Sequence, residues 1–149
     1  MTINIYHLRV YYDKKIYRDI EISGQNKLYK LAETIIQSFE FDLDHCFGFF
    51  SNLKGNPTQS LEKYELFADL EDMGLEPVES GSVKKTSISS VFKVGKKMQF
   101  LFDYGDDWRF MVECCNITEP VANRKYPYLA GGKGDAPEQY PDYDEELEA

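Results

Sequence analysis

The 149-residue sequence holds few of the side chains that most often carry redox, metal or acid–base chemistry: three cysteines, two histidines and one tryptophan. Cys114 and Cys115 are adjacent in a predicted strand and so point to opposite faces, while Cys46 stands alone. Neither arrangement favours a disulfide and no spacing fits a zinc site, so reduced thiols packed in the core are the expectation. With His7 and His45 the only histidines, general acid–base work would fall to carboxylates, and no nucleophile–base pair stands out. No motif implies a cofactor.

Long hydrophobic runs are missing too. None approaches the roughly 18 residues that a membrane helix needs, and the opening MTINIYHLRV lacks the layout of a signal peptide. The expectation is a cytoplasmic protein with no membrane partner. Positive charge is scarce: 17 bases stand against 26 acids, a net of −9. Seven of the acids (Asp135, Glu138, Asp142, Asp144, Glu145, Glu146 and Glu148) lie in residues 135–149, which hold no base; the other 19 leave residues 1–134 at −2. A near-neutral body is therefore followed by an acidic tail, expected to be flexible. With no helix-turn-helix in view, this is not the footprint of a nucleic-acid binder. Lys84 to Lys97 carries five lysines and no acid, and Glu62 to Glu79 seven acids and one lysine; for the lysine block, a solvated face is favoured over contact with phosphates.

What is present is a foldable body. Hydrophobic content is 42% and aromatic content 15%, enough for a core in one domain over residues 1–134. Two stretches read as hairpins. In Gln99 to Glu113, QFLFDYGDDWRFMVE, a loop of Gly105-Asp106-Asp107 would set Tyr104 opposite Trp108, Phe102 opposite Phe110, Phe100 opposite Val112 and Met98 opposite Cys114, all apolar. The other face would pair Asp103 with Arg109, and Gly105 or an aspartate would supply the positive φ that such a loop needs. In residues 3–22, a loop of Asp13-Lys14-Lys15 sets Tyr12 opposite Ile16, Leu8 opposite Ile20 and Tyr6 opposite Ile22; Tyr11–Tyr17, Arg9–Asp19 and His7–Glu21 fall on the solvated face. One rung breaks the pattern, because Val10 faces Arg18. An arginine on a core face either runs its head out to the sheet edge or has a defined carboxylate partner.

Lys27 to Phe39 predicts a helix: Leu28, Leu31, Ala32, Ile35, Ile36 and Phe39 make a single apolar stripe, with Asn26 as the N-cap. Cys46 to Phe50 predicts a buried strand. Leu61 to Met73 reads as a second helix, with Leu61, Tyr64, Phe67 and Ala68 facing inward and Gly74 ending it. Ile88, Val91 and Phe92 read as one helical turn, and Gly95 resets the chain into the central hairpin. After Ile117, the prolines and Gly131, Gly132 and Gly134 predict an irregular segment with tyrosines as anchors.

Candidate site residues gather around the central hairpin. Asp106 and Asp107 at its tip, next to Trp108 and within reach of Glu138, would form an acidic pocket, with Arg18 and Arg109 as counter-charges. Such a pocket would bind a cation or a cationic peptide group. The favoured alternative is structural, with Asp106 and Asp107 accepting turn N–H groups and Asp103 paired to Arg109. Asp42, Asp44 and His45 have ligand chemistry without metal-site spacing, and a turn with a capping Asp and a hydrogen-bonded His is favoured there. Three functions follow: an interaction module for an unidentified protein partner, a metal-dependent enzyme acting on nucleic acid through Asp42, Asp44, His45, Asp106 and Asp107, or a DNA-associated regulator. The first is preferred.

At Asp103-Tyr104-Gly105-Asp106-Asp107-Trp108 the sequence resembles the pRiA-type plasmid ORF-3-like family, small proteins also found near transposon genes. The likeness runs through Ile5 to Val10, Lys15 to Ile20, Leu28 to Phe39, Phe41 to His45, Tyr126-Pro127, Gly131-Gly132 and Ala136-Pro137-Glu138. It departs where Phe110 replaces a frequent histidine, Leu129 stands at a usual cysteine and Gln139 replaces an aspartate. Leu61 to Gly74 is an addition, and the acidic tail replaces a glycine-rich closing helix. The resemblance implies an α+β fold with a β-grasp, ubiquitin-like hairpin and helix at the N-terminus and the central hairpin in the same mixed sheet. It brings no established function; resolvase or repressor labels on relatives reflect neighbourhood or fusion.

Overall fold

Residues 3–66 and 81–140 are described by the computed structural model. Their period-two N-terminal pattern becomes β1 (Ile5–Tyr11) and β2 (Tyr17–Ser23), paired from Ile5↔Ser23 to Tyr11↔Tyr17 as the sequence arithmetic requires. Asp13 makes the turn: its Oδ1 accepts the N–H groups of Lys15 (2.7 Å) and Ile16 (2.8 Å). The apolar stripe becomes α1 (Leu28–Ser38), which buries Leu28, Leu31, Ala32, Ile35 and Ile36, with Phe39 buried just beyond.

Asn26 does not cap this helix. Leu28 N–H donates to Thr86 O (2.9 Å) and Tyr29 N–H to Val83 O (3.0 Å), so a distant loop satisfies the first-turn donors. The other end closes with a Schellman arrangement: Glu40 N–H reaches Gln37 O (3.0 Å) and Phe41 N–H reaches Ile36 O (2.9 Å), with Glu40 at φ 60°.

Strands that carry phenylalanines then build the sheet's centre. β3 (Phe47–Phe50) is buried along its length and pairs with a further strand, β4 (Lys63–Glu65). The very short β5 (Gly81–Ser82) runs parallel to β4, and α2 (Ile88–Val91) buries Ile88 and Val91. β6 (Lys97–Phe102) and β7 (Trp108–Thr118) form the central hairpin, and β8 (Tyr128–Lys133) closes the order β5-β4-β3-β6-β7-β1-β2-β8. All neighbours except β4 and β5 are antiparallel. The core lies between one face of this sheet and α1, where the rings of Phe39 and Phe110 meet at 4.8 Å and those of Phe49 and Phe100 at 4.8 Å. Among the described residues, no helix is long and apolar enough to cross a membrane.

Four expectations need correction. The sheet is larger than two hairpins, because β3, β4, β5 and β8 extend it on both sides. The segment from Leu61 does not open as a helix: Lys63–Glu65 is a strand and Leu61 is fully exposed. Helical spacing there competes with the backbone of β3, whose outer side needs a ladder partner, and Tyr64 pairs with Phe49 instead. The remainder of that predicted helix, with Phe67 and Ala68, lies outside the described residues. The C-terminal segment is not wholly irregular. Gly131 and Gly132 pair with Asp19 and Arg18, and at Gly132 a Cβ would sit 2.7 Å from Tyr17 O, so glycine permits that approach. Finally, only Cys114 is a core thiol; Cys46 and Cys115 are exposed, and all three are free.

Candidate functional site

The central hairpin keeps its predicted faces but shifts its register by two residues. Phe102 faces Trp108, Phe100 faces Phe110 and Met98 faces Val112, leaving the five-residue loop Asp103–Asp107. Asp103 explains the longer loop. Its Oδ1 accepts N–H groups from Gly105 and Asp106, both at 3.2 Å, and Asp107 N–H donates to Asp103 O at 2.6 Å. Positive φ falls on Asp103 (61°) and Asp107 (59°), not on Gly105.

This geometry overturns the predicted Asp103–Arg109 pair. Arg109 now lies opposite Leu101 and donates from Nε to both oxygens of Asp107 (3.0 and 3.1 Å) and from Nη1 to Gly55 O (2.9 Å). Asp103, only 6% exposed, points the other way, with Oδ2 3.3 Å from His45 Nε2. His45 Nε2 is also 2.8 Å from Tyr140 Oη, whose hydroxyl donates to Asp44 Oδ2 at 2.8 Å. Since that hydroxyl is used as a donor, it accepts from the His45 N–H. Beside it, Gln139 exchanges hydrogen bonds with the Asp42 backbone, accepting from N–H at 2.7 Å and donating to O at 3.1 Å. The Asp42–His45 turn is thus held by the chain just before residue 141.

The remaining candidates stay apart. Among the described residues, Arg18 has no carboxylate partner: it donates to the carbonyls of Ser38 (2.9 Å), Tyr17 (2.9 Å) and Lys133 (3.1 Å), and its head lies 4.9 Å from the Phe39 ring centroid. The C-terminal carbonyl of a helix suits a cation, and Arg18 is held by backbone carbonyls, one of them on the edge strand β8, in place of the carboxylate that was one of its two expected settings. Glu138 is exposed and has no polar partner among the described residues; it does not fold onto Asp106 or Asp107. The Asp106 carboxylate is likewise exposed with no partner among them. Trp108 is half-buried, with its ring against Phe41 (4.8 Å) and Tyr12 (5.7 Å), and its Nε1 is buried without an acceptor among the described residues. Tyr104 donates to Glu65 Oε1 at 2.7 Å, and burial first, then that hydrogen bond, raises its hydroxyl well above the usual tyrosine range.

Two concavities flank the Trp108–Arg109 step. One, of about 340 Å³, is walled by Tyr11, Leu53, Gln99, Phe110 and Met111 and rimmed by Arg109. The other, of about 470 Å³, lies between Asp106, Asp107 and Trp108; Tyr12, Asp13 and Arg109 line both, and Lys14 also borders the first. Tyr11, Leu53, Gln99 and Met111 were missed as site residues. The signal was available for three of them, since hairpin arithmetic placed Tyr11, Gln99 and Met111 on the faces opposite the core. Among the described residues, no group of three or more His, Cys, Asp and Glu side chains is arranged to hold a metal ion.

Comparison with known proteins gives a family without an assigned activity. No protein of curated function matches. Among solved structures, this chain is similar to the crystal structure of a protein of unknown function, MM3350, from Methanosarcina mazei Go1. The TM-score is 0.75 and the identity 22%, covering 99% of this chain and 82% of that one, a likeness of fold. The family model described as plasmid pRiA4b ORF-3-like protein matches residues 4–144, and the chain belongs to that family.

Proposed function

We propose that this protein is a non-enzymatic binding module that grips a segment of a partner protein at the tip of the central hairpin. The observation that carries the reading is the junction of two concavities across Tyr12, Asp13 and Arg109. The first has the size and largely apolar walls of a side-chain pocket. The second sets Asp106, whose charge has no partner among the described residues, beside the indole of Trp108. A cation placed there meets both a carboxylate and an aromatic face. The segment that fits has an apolar residue next to a lysine or arginine.

The rival enzymatic reading needs Asp42, Asp44, His45, Asp106 and Asp107 to converge. Asp44 and His45 instead bond Tyr140, and Asp107 is taken by Arg109. The DNA-binding reading is weakened by the near-neutral body, with 19 acids against 17 bases in residues 1–134, and within the lysine block Lys96 is paired with Glu62 at 2.7 Å. Two further points belong to the same proposal. The hairpin-then-helix order of β1, β2 and α1 supports a β-grasp kinship, and the free thiols support a cytoplasmic setting.

The test uses the sole tryptophan as reporter. Short capped peptides pairing Leu or Phe with Arg should change Trp108 emission saturably, and added salt and Asp106→Asn should each weaken them by about tenfold. Peptides with Glu in place of Arg should not bind. Equal binding of both series, or no saturable response to any apolar–basic peptide, would refute the reading.

A further inference from the structure

We infer that β8 is the seam of a symmetric dimer, in which two copies of the chain join edge to edge into one continuous sheet. This surface lies at the sheet margin and is separate from the hairpin-tip concavities. β8 is the last strand of the sheet, and all six of its residues are exposed. Among the described residues, no strand pairs with its outer side. Sheet edges are normally guarded by proline, by charges or by very short strands. β8 has no proline inside it, one lysine at its end and six residues of length.

Its sequence fits a second copy of itself. Against β2, Leu129 faces Ile20 and Gly132 faces Arg18, while Tyr128, Gly131 and Lys133 face Glu21, Asp19 and Tyr17. The register skips Ala130, a one-residue bulge that brings Leu129 and Gly132 onto the same face, the one that carries α1. With Ala130 bulged out of the new pairing in both copies as it is against β2, two β8 strands set antiparallel about a dyad at Gly131 place Leu129 of each copy opposite Gly132 of the other, and Tyr128 opposite Lys133. The large apolar side chain, half exposed in the single chain, lies over a residue with no side chain. The lysine meets a ring already held beneath Arg124, whose guanidinium lies 4.2 Å from its centroid. An isologous contact of this kind closes at two copies and leaves no new edge.

The experiment is sedimentation of the full chain over a concentration series, without peptide. The wild-type protein should approach twice its 17.3 kDa mass. Leu129→Lys, at an exposed position, should raise the dissociation constant by at least about tenfold, whereas Val94→Lys, equally exposed but remote from β8, should leave it unchanged. Gly131→Cys, at a position where a Cβ has ordinary clearance, should form an intermolecular disulfide in a Cys46→Ser, Cys115→Ser background. A chain that is monomeric at every concentration overturns the inference. So does a dimer that Leu129→Lys leaves intact, or a Gly131→Cys variant that does not cross-link.

Discussion

Asp13 and Asp103 do the same work at the two hairpins. Each side chain accepts the N–H groups of the residues two and three positions on, which turns the chain without help from a glycine. They differ in burial. Asp13 is exposed, whereas Asp103 is enclosed and also meets His45. Glu40 is the residue whose chemistry fits its backbone least. It occupies the left-handed position that closes α1, and its exposed side chain has no hydrogen bond or ion pair among the described residues to offset the strain. Glu40→Gly should therefore stabilise the protein by about 0.5–1 kcal/mol, the left-handed penalty less the entropy cost of glycine. A urea midpoint that falls on this substitution would show that Glu40 has a stabilising contact.

At the scale of the element, the central hairpin depends on which aspartate is removed. Asp103→Ala takes away the oxygen that accepts two turn N–H groups and a buried partner of His45, and should cost about 2 kcal/mol in denaturant unfolding. Asp106→Ala removes a solvated carboxylate and should stay within about 0.5 kcal/mol of wild type. Equal losses would mean that the loop is held at its tip and not at its base. The contrast also protects the peptide test, because Asp106→Asn then alters binding in a protein that is otherwise unchanged. The β8 strand shows a complementary rule. It is held to β2 through its backbone, and glycine, which has no side chain to pack, is tolerated where two backbones approach closely.

For the whole molecule, the question is whether the acids scattered through the sequence act together. They are divided among the His45–Tyr140 network, the Arg109–Asp107 pair and the solvated Asp106. The melting temperature should accordingly be the same in EDTA and in excess Mg²⁺, Mn²⁺, Ca²⁺ or Zn²⁺. A metal at about a hundred times its dissociation constant would add roughly 2.7 kcal/mol, several degrees for a chain of this size. A selective rise of that order, lost in Asp103→Asn, would redirect the function towards metal chemistry.

Local pattern alone determined β1, β2 and α1, the buried β3 and the α2 turn. Their signals are short-range: alternation or 3.6-residue spacing of apolar side chains, and an aspartate placed to turn the chain. It also determined which residues of the central hairpin face inward, since a shift by two preserves faces even when it changes partners. Tertiary structure decided the rest. The hairpin register followed Asp103, whose buried setting with His45 is not visible in its neighbours. The N-terminus of α1 took its acceptors from Val83 and Thr86, more than fifty residues away in sequence, and Asn26 was left free of that role. Residues 63–65 became a strand because β3 needed a partner, and Gly131 and Gly132 became part of one because β2 did. In each case a backbone hydrogen-bonding group on an element already formed set the outcome, and such groups are the same for every sequence until the fold puts them next to one another.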